Sequence, residues 1–151
     1  MAGEEISRRF GRAVEALVLA ALPGRDVFYG KVDKPDAELT FPYVVVWAIP
    51  SARVRRNLSG TIASPDSRVQ LTGVGRDPDE VCSALDHAAA ALHGKKPNLG
   101  EGWNAGRIWE MPVEQAVTKN EDLWTPQGSP TYRGVSMFRL SSEPAPVAVE
   151  S

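Results

Sequence analysis

The stretch that decides the fold is SRVQLTGVGRDPDEVCSALDHAAAAL, Ser67–Leu92. It reads as a strand, a glycine turn and a helix. Val69 and Leu71 alternate with Arg68, Gln70 and Thr72, which predicts a strand with one buried side and one solvated or partner-facing side. From about Pro78 to His93, Val81, Leu85, Ala88 and Leu92 form the apolar stripe of a helix, and Gly94 ends it. Units of this kind hold phosphate in many nucleotide-binding proteins, so the Gly73-x-Gly75 turn has to be weighed for that role. The residues after it argue against it. No third glycine follows, and no Lys-Ser/Thr pair. Asp77 suits the N-cap, Pro78 suits the first helical position, and Glu80 completes an Asp-x-x-Glu capping box, with Asp79 a further carboxylate. A phosphate would meet negative charge where a phosphate-binding helix offers free N–H groups. The turn is expected to join two elements and to bind nothing.

Working outward, a first helix is expected from about Glu4 to Leu22. Ile6, Phe10, Ala13, Val14, Leu17, Val18 and Ala21 make its stripe, and Pro23-Gly24 stops it. Asp26–Val32 reads as a short strand. FPYVVVWAIP, Phe41–Pro50, is the strongest strand signal and is apolar on both faces: Tyr43, Val45, Trp47 and Ile49 on one, Val44, Val46 and Ala48 on the other. Such a strand is covered on both sides. Helices supply one cover, and a loop or a neighbouring subunit must supply the other. Arg107–Val113 and Tyr132–Leu140 read as two more strands, with Ser51–Pro65 and Thr118–Thr131 as long polar loops. Helix, strand, strand, strand, helix, strand, strand is an α+β order, with a mainly antiparallel sheet and two helices packed on one face. The expected organisation is a single domain over 1–141 and a flexible Pro/Ala-rich C-terminal tail over 142–151.

Composition narrows the function. The chain has 151 residues and is 42% hydrophobic, enough for one core. Its formal charge of −2, from 17 Lys+Arg against 19 Asp+Glu, gives no footprint for general nucleic-acid binding. Cys82 stands alone, which excludes an intramolecular disulfide and argues against a cysteine-based zinc site. No apolar run approaches the ~18 residues of a membrane span. Ala13–Gly24 contains Glu15 and follows Glu4 and Glu5, unlike a secretory leader, so a cytosolic helix is expected and the Asn57-Leu58-Ser59 sequon is read as chance. His87 and His93 fall on different helical faces. Cys82, one turn from Asp86, reads as a small core residue. Pro35-Asp36 and Glu38 resemble the acidic start of metal-dependent nucleases, but YVVVWAI lacks the carboxylate-x-Lys those enzymes need. No catalytic, cofactor or metal residue is assigned. Two features are candidate interface residues: the cluster Arg53, Arg55 and Arg56, which suits phosphate, acidic protein surfaces or a solvated loop, and Leu123-Trp124. A tryptophan in a polar loop either folds back on the core or anchors a contact with another chain.

Taken in order, the first helix and strand, FPYVVVWAIP, the arginine-bearing loop, RVQLTGVGRDPDEVCSALDHAAAAL and the late DLWTPQGSPTYRGVSMFRL resemble the tail terminator (tail completion) proteins of long-tailed phages, especially those of actinobacterial phages and prophages. The resemblance spans roughly Glu4 to Leu140. It implies an α+β sheet with two helices, and a hexameric ring of this chain on the head-proximal end of the tail tube. That ring would contact the tail tube protein and the head–tail connector or stopper, with DNA only passing through its lumen and no membrane involved. It implies a virion protein of the tail or neck, assembled in the host cytoplasm, with no catalytic residues. Competing expectations are a connector or stopper ring protein, a small cytosolic enzyme, and a nucleic-acid module. The enzyme would need a convergent His/carboxylate pair, and the even charge argues against the nucleic-acid module.

Overall fold

A computed structural model describes residues 2–35, 38–52, 66–100, 102–113, 115–124 and 130–144, with the side chains of most of them. Helix α1 (Ala2–Ala21) is followed by β1 (Val27–Tyr29), β2 (Tyr43–Ala52) and β3 (Asp66–Gly75). Then come α2 (Pro78–Leu92), β4 (Trp103–Met111), β5 (Thr118–Trp124) and β6 (Pro130–Pro144). The strands form one sheet in the order β1-β2-β3-β6-β4, and β5 continues the β4 side of β6. All pairings are antiparallel except β1 with β2. This is the α+β fold that the element order implies.

Both helices pack on one face. Val44 and Val46 of β2, Val69 and Leu71 of β3, and Phe138 and Leu140 of β6 are buried against the stripes of α1 (Ile6, Phe10, Val14, Val18) and α2 (Val81, Leu85, Ala88, Leu92). Each large side chain taken from water here is worth about 1.5–3 kcal/mol. The alternation read from the sequence therefore holds residue by residue in β2 and β3.

The glycines differ in role from the sequence reading. β3 runs through Gly75, so Gly73 and Gly75 lie in the strand and the turn is Arg76-Asp77. Neither takes a positive φ. Gly73 sits directly opposite Gly134 of β6. A Cβ on Gly73 would lie 3.0 Å from Leu85 Cγ, and one on Gly134 would lie 3.1 Å from Leu85 Cδ1, Val81 Cγ1 and Val117 Cγ2. The glycine pair is thus the seat on which α2 rests. Asp77, with φ −149 and ψ 164, caps α2 by accepting from the Glu80 N–H at 2.8 Å. Only that half of the capping box forms. Glu80 Oε2 turns to Arg76 at 3.2 Å, and its Oε1 has no partner.

Three other expectations change. Thr118–Thr131 is not all loop, because Thr118–Trp124 forms β5 against β6. The run TKNEDLW has no apolar alternation, and its strand state comes from the β6 edge it pairs with. Cys82 is exposed, not a core residue. β6 runs on to Pro144, where Ser142, Glu143 and Pro144 face Ala105, Asn104 and Trp103 of β4.

Parallel neighbours cannot be joined by a hairpin, so the chain between β1 and β2 must cross a face of the sheet. It crosses the helix-free face. Leu39 and Phe41 of this crossover pack with Phe28, Tyr43, Val45 and Val74 in a second, smaller core. Asp26 ties the crossover down, accepting from Lys34 Nζ at 2.9 Å, Thr40 Oγ1 at 3.0 Å and the Thr40 N–H at 3.3 Å. Burial opposes its charge, but these hydrogen bonds and the Lys34 charge together hold its carboxyl below the ordinary aspartate value. With the folded pKa lowered, the stabilisation is present above the unfolded value of about 3.9 and is lost as pH falls through the folded pKa. The difference in urea midpoint between the native chain and Asp26→Asn should be flat near neutral pH and shrink below about pH 4. A difference that persists undiminished into strong acid would refute this role.

Candidate assembly interface

Beyond the crossover, the helix-free face carries exposed side chains, Trp47, Arg68, Trp109 and Arg139 among them. Register across β2, β3, β6 and β4 sets out two cross-strand rows, Ile49–Arg68–Arg139–Trp109 and Trp47–Gln70–Met137–Met111. Trp47 is 40% exposed and Trp109 is 53% exposed. Tryptophan, methionine and arginine are the residues enriched in protein interfaces. Both indoles are held in place. Trp47 Nε1–H donates to Thr72 Oγ1 at 3.0 Å, and Trp109 meets the His93 ring edge-to-face with centroids 5.3 Å apart. An anchor oriented before contact loses less conformational entropy on docking.

The sheet edge at β4 is closed. Gly94 N–H donates to Ile108 O at 2.7 Å, Ile108 N–H donates to Lys95 O at 2.8 Å, and Glu110 N–H donates to His93 Nδ1 at 3.2 Å. Arg107 Nη1 adds a bond to Gly94 O at 2.7 Å. The segment after α2 thus occupies the backbone groups that strand addition would need there. The available surface is a face, not this edge.

Of the candidate interface residues, Arg53, Arg55 and Arg56 lie outside the described residues. Leu123 and Trp124 end β5, where Trp124 pairs with Pro130, and their side chains lie outside the described set. The structure brings forward Trp109, which the sequence reading left unremarked. Its signal is the alternation with Ile108, which is buried under the helices. Trp47 lies on the face that the alternation of β2 predicts, paired with Gln70 of β3. His87 Nδ1 bonds to Ser83 O at 2.7 Å within α2, and His93 serves β4. Among the described residues, no group of three or more His, Cys, Asp and Glu side chains could hold a metal ion. Asp36 of the acidic stretch lies outside the described residues. Among them, too, no helix is long and apolar enough to cross a membrane.

No protein-family model matches the sequence, and no curated protein sequence does. Solved structures do match. One is a chain of the virion of a native gene transfer agent particle, 15% identical, with a TM-score of 0.64 over 91% of this chain and 97% of that one. A second solved chain is 18% identical, with a TM-score of 0.51 over 93% of this chain and 94% of that one. The fold of this protein, over nearly its whole length, is thus one that a virion component also adopts.

Proposed function

We propose that the chain is a phage-type virion protein that forms a ring on the head-proximal end of the tail tube, stops tube polymerisation and gives the head its docking surface. The observation that carries this reading is the near end-to-end fold match with a chain of a virion particle. The resemblance of the sequence order to tail terminators and the open face with its oriented tryptophans support it. The partners are copies of the chain, the tail tube protein and the connector or stopper. The work is done by surfaces, not by a reactive group.

The test is tail assembly with and without the protein, imaged by negative stain. Overlong or headless tails in its absence are expected, and normal particles would end the reading. Binding to a portal and not to polymerised tube would assign the chain to the connector or stopper class instead. Two substitutions sharpen the test. Trp109→Ala should leave the fold intact yet weaken assembly at least about tenfold, a loss of about 1.4 kcal/mol or more. Equal assembly by concentration-dependent sedimentation would remove Trp109 from the interface. Arg53, Arg55 and Arg56 are assigned to an acidic neighbour, because arginines lining the lumen would hold passing DNA. Reversing their charge should impair ring formation or head joining, and unaltered particle yield would contradict the assignment.

A further inference from the structure

The sheet has outer edges at β4, β5 and β1. At β4 the segment after α2 takes the outward backbone groups. At β1, Val44 N–H donates to Asp26 O at 3.1 Å and Gly30 N–H donates to Val46 O at 2.9 Å. Asp26, Phe28 and Gly30 therefore aim their backbone at β2, and alternation turns the N–H and C=O of Val27 and Tyr29 away from the sheet. Among the described residues, no strand or loop bonds to them there. β5 pairs with β6, and among the described residues no strand lies on its other side. A strand edge of this kind is a template for another strand. The two edges also match. β1 is straight for three residues, Val27–Tyr29, and stops at Gly30, whose φ is 74. β5 keeps a regular register over Thr118, Lys119 and Asn120 before the shift toward Trp124. The edges lie on opposite sides of one sheet and run in opposite directions, because β1 is parallel to β2 and each step from β2 through β3 and β6 to β5 is antiparallel. Their levels differ. Register carries Val45, beside Phe28, through Thr72 to Val135, whereas Lys119 lies opposite Tyr132, three residues along β6. A stagger of about 10 Å is what tilted strands show when the edges of a sheet close into a ring.

We infer that β1 of one copy pairs with β5 of the next, so that one sheet runs from subunit to subunit around the ring. The inference rests on the ring reading above and names the contact that closes the ring. Rotation about an axis along the strands keeps each strand's direction, so the two edges meet antiparallel, the more stable pairing. Val27 and Tyr29 each bring one backbone donor and one acceptor, and the contact depends on no charge match. The edges differ, so the contact is heterologous, and each copy keeps one edge of each kind until rotation closes the circle.

Val27→Pro removes one outward N–H and leaves the bonds to β2 in place, which proline permits on an edge strand. The variant keeps its β5, so it should still add to β1 of a native copy and then block growth. Mixed in equal amount with the native full-length chain, it should cut ring yield at least about tenfold, in solution and on polymerised tail tube, because a ring closes only when every copy is native. A second measurement uses Lys31→Cys with Lys119→Cys in a Cys82→Ser chain, placing one thiol just past β1 and one on β5. Four strand spacings, about 19 Å, part the two edges within one chain, so a short bis-maleimide joins them only between copies. The double variant should give a ladder of linked chains running past dimer, and either single-thiol variant should stay unlinked. Thermal unfolding of each variant separates loss of contact from loss of fold. A folded Val27→Pro that leaves ring yield unchanged overturns the inference, as does the absence of a ladder in both settings. Linked dimers of the Lys31→Cys chain alone also overturn it, because β1 would then meet β1 in a symmetric contact. Tubes that are capped without any ladder would sink this pairing and leave the terminator role standing. A ladder from a chain that never caps tubes would do the reverse.

Discussion

Phe138→Ala is expected to lower the free energy of unfolding by about 3–5 kcal/mol. Phe138 is fully buried at the centre of the helix-covered face, opposite Val69 on one side and Glu110 on the other. The two central strands and the helices that cover them meet there, so the surroundings cannot collapse into the space left behind. Small domains have about 5–15 kcal/mol in all, so this single truncation removes a large share. Met137 is the sequence neighbour of Phe138 but points to the open face. Met137→Ala should cost about 1 kcal/mol or less. Urea unfolding of both variants checks the pair through the midpoints at constant slope. Equal losses would mean that the two faces of the sheet are not divided between core and surface as described.

The second large effect is expected at Gly134. Gly134→Val should destabilise by about 1–3 kcal/mol, although valine suits a strand far better than glycine does. A first carbon already meets Leu85, Val81 and Val117 at 3.1 Å, and the extra methyl groups would lift α2 from its seat. The cause can be isolated. Combining Gly134→Val with Leu85→Ala should cost clearly less than the sum of the two single changes, because the truncation opens the space that the valine needs. Strict additivity in a double-mutant cycle would show that the glycine is present for another reason. The same geometry explains the Gly73-x-Gly75 pattern that resembles the start of a phosphate loop. These glycines serve the approach of a helix to a sheet, and the end of that helix is capped by Asp77 of the chain itself.

Much of the architecture was legible because it follows from local period. The stripe of α1, the alternation of Val69 and Leu71 with Arg68 and Gln70, and the two apolar faces of β2 each survive in the structure. β5 was illegible because nothing in TKNEDLW favours a strand until β6 offers it an edge. The parallel β1–β2 pair was also hidden, since three-residue β1 has too little pattern to declare its direction. With that pair unseen, a neighbouring subunit stayed open as the cover for Tyr43 and Val45. In the structure the chain's own crossover covers them.

The candidate site divides in the same way. Trp47 could be assigned to a face from β2 alone, whereas Trp109 became visible only when register set it beside Arg139. The sequence by itself determined the fold class, the two helices, the inner and outer sides of the central strands and the cap of α2. All of these depend on residues within a few positions of one another, where helix and strand periodicity act. The tertiary structure alone decided which glycines face each other, which face the crossover shelters and which tryptophans share an open surface. Those outcomes depend on pairing between strands far apart in the chain, and such register is set by the packing of the whole sheet.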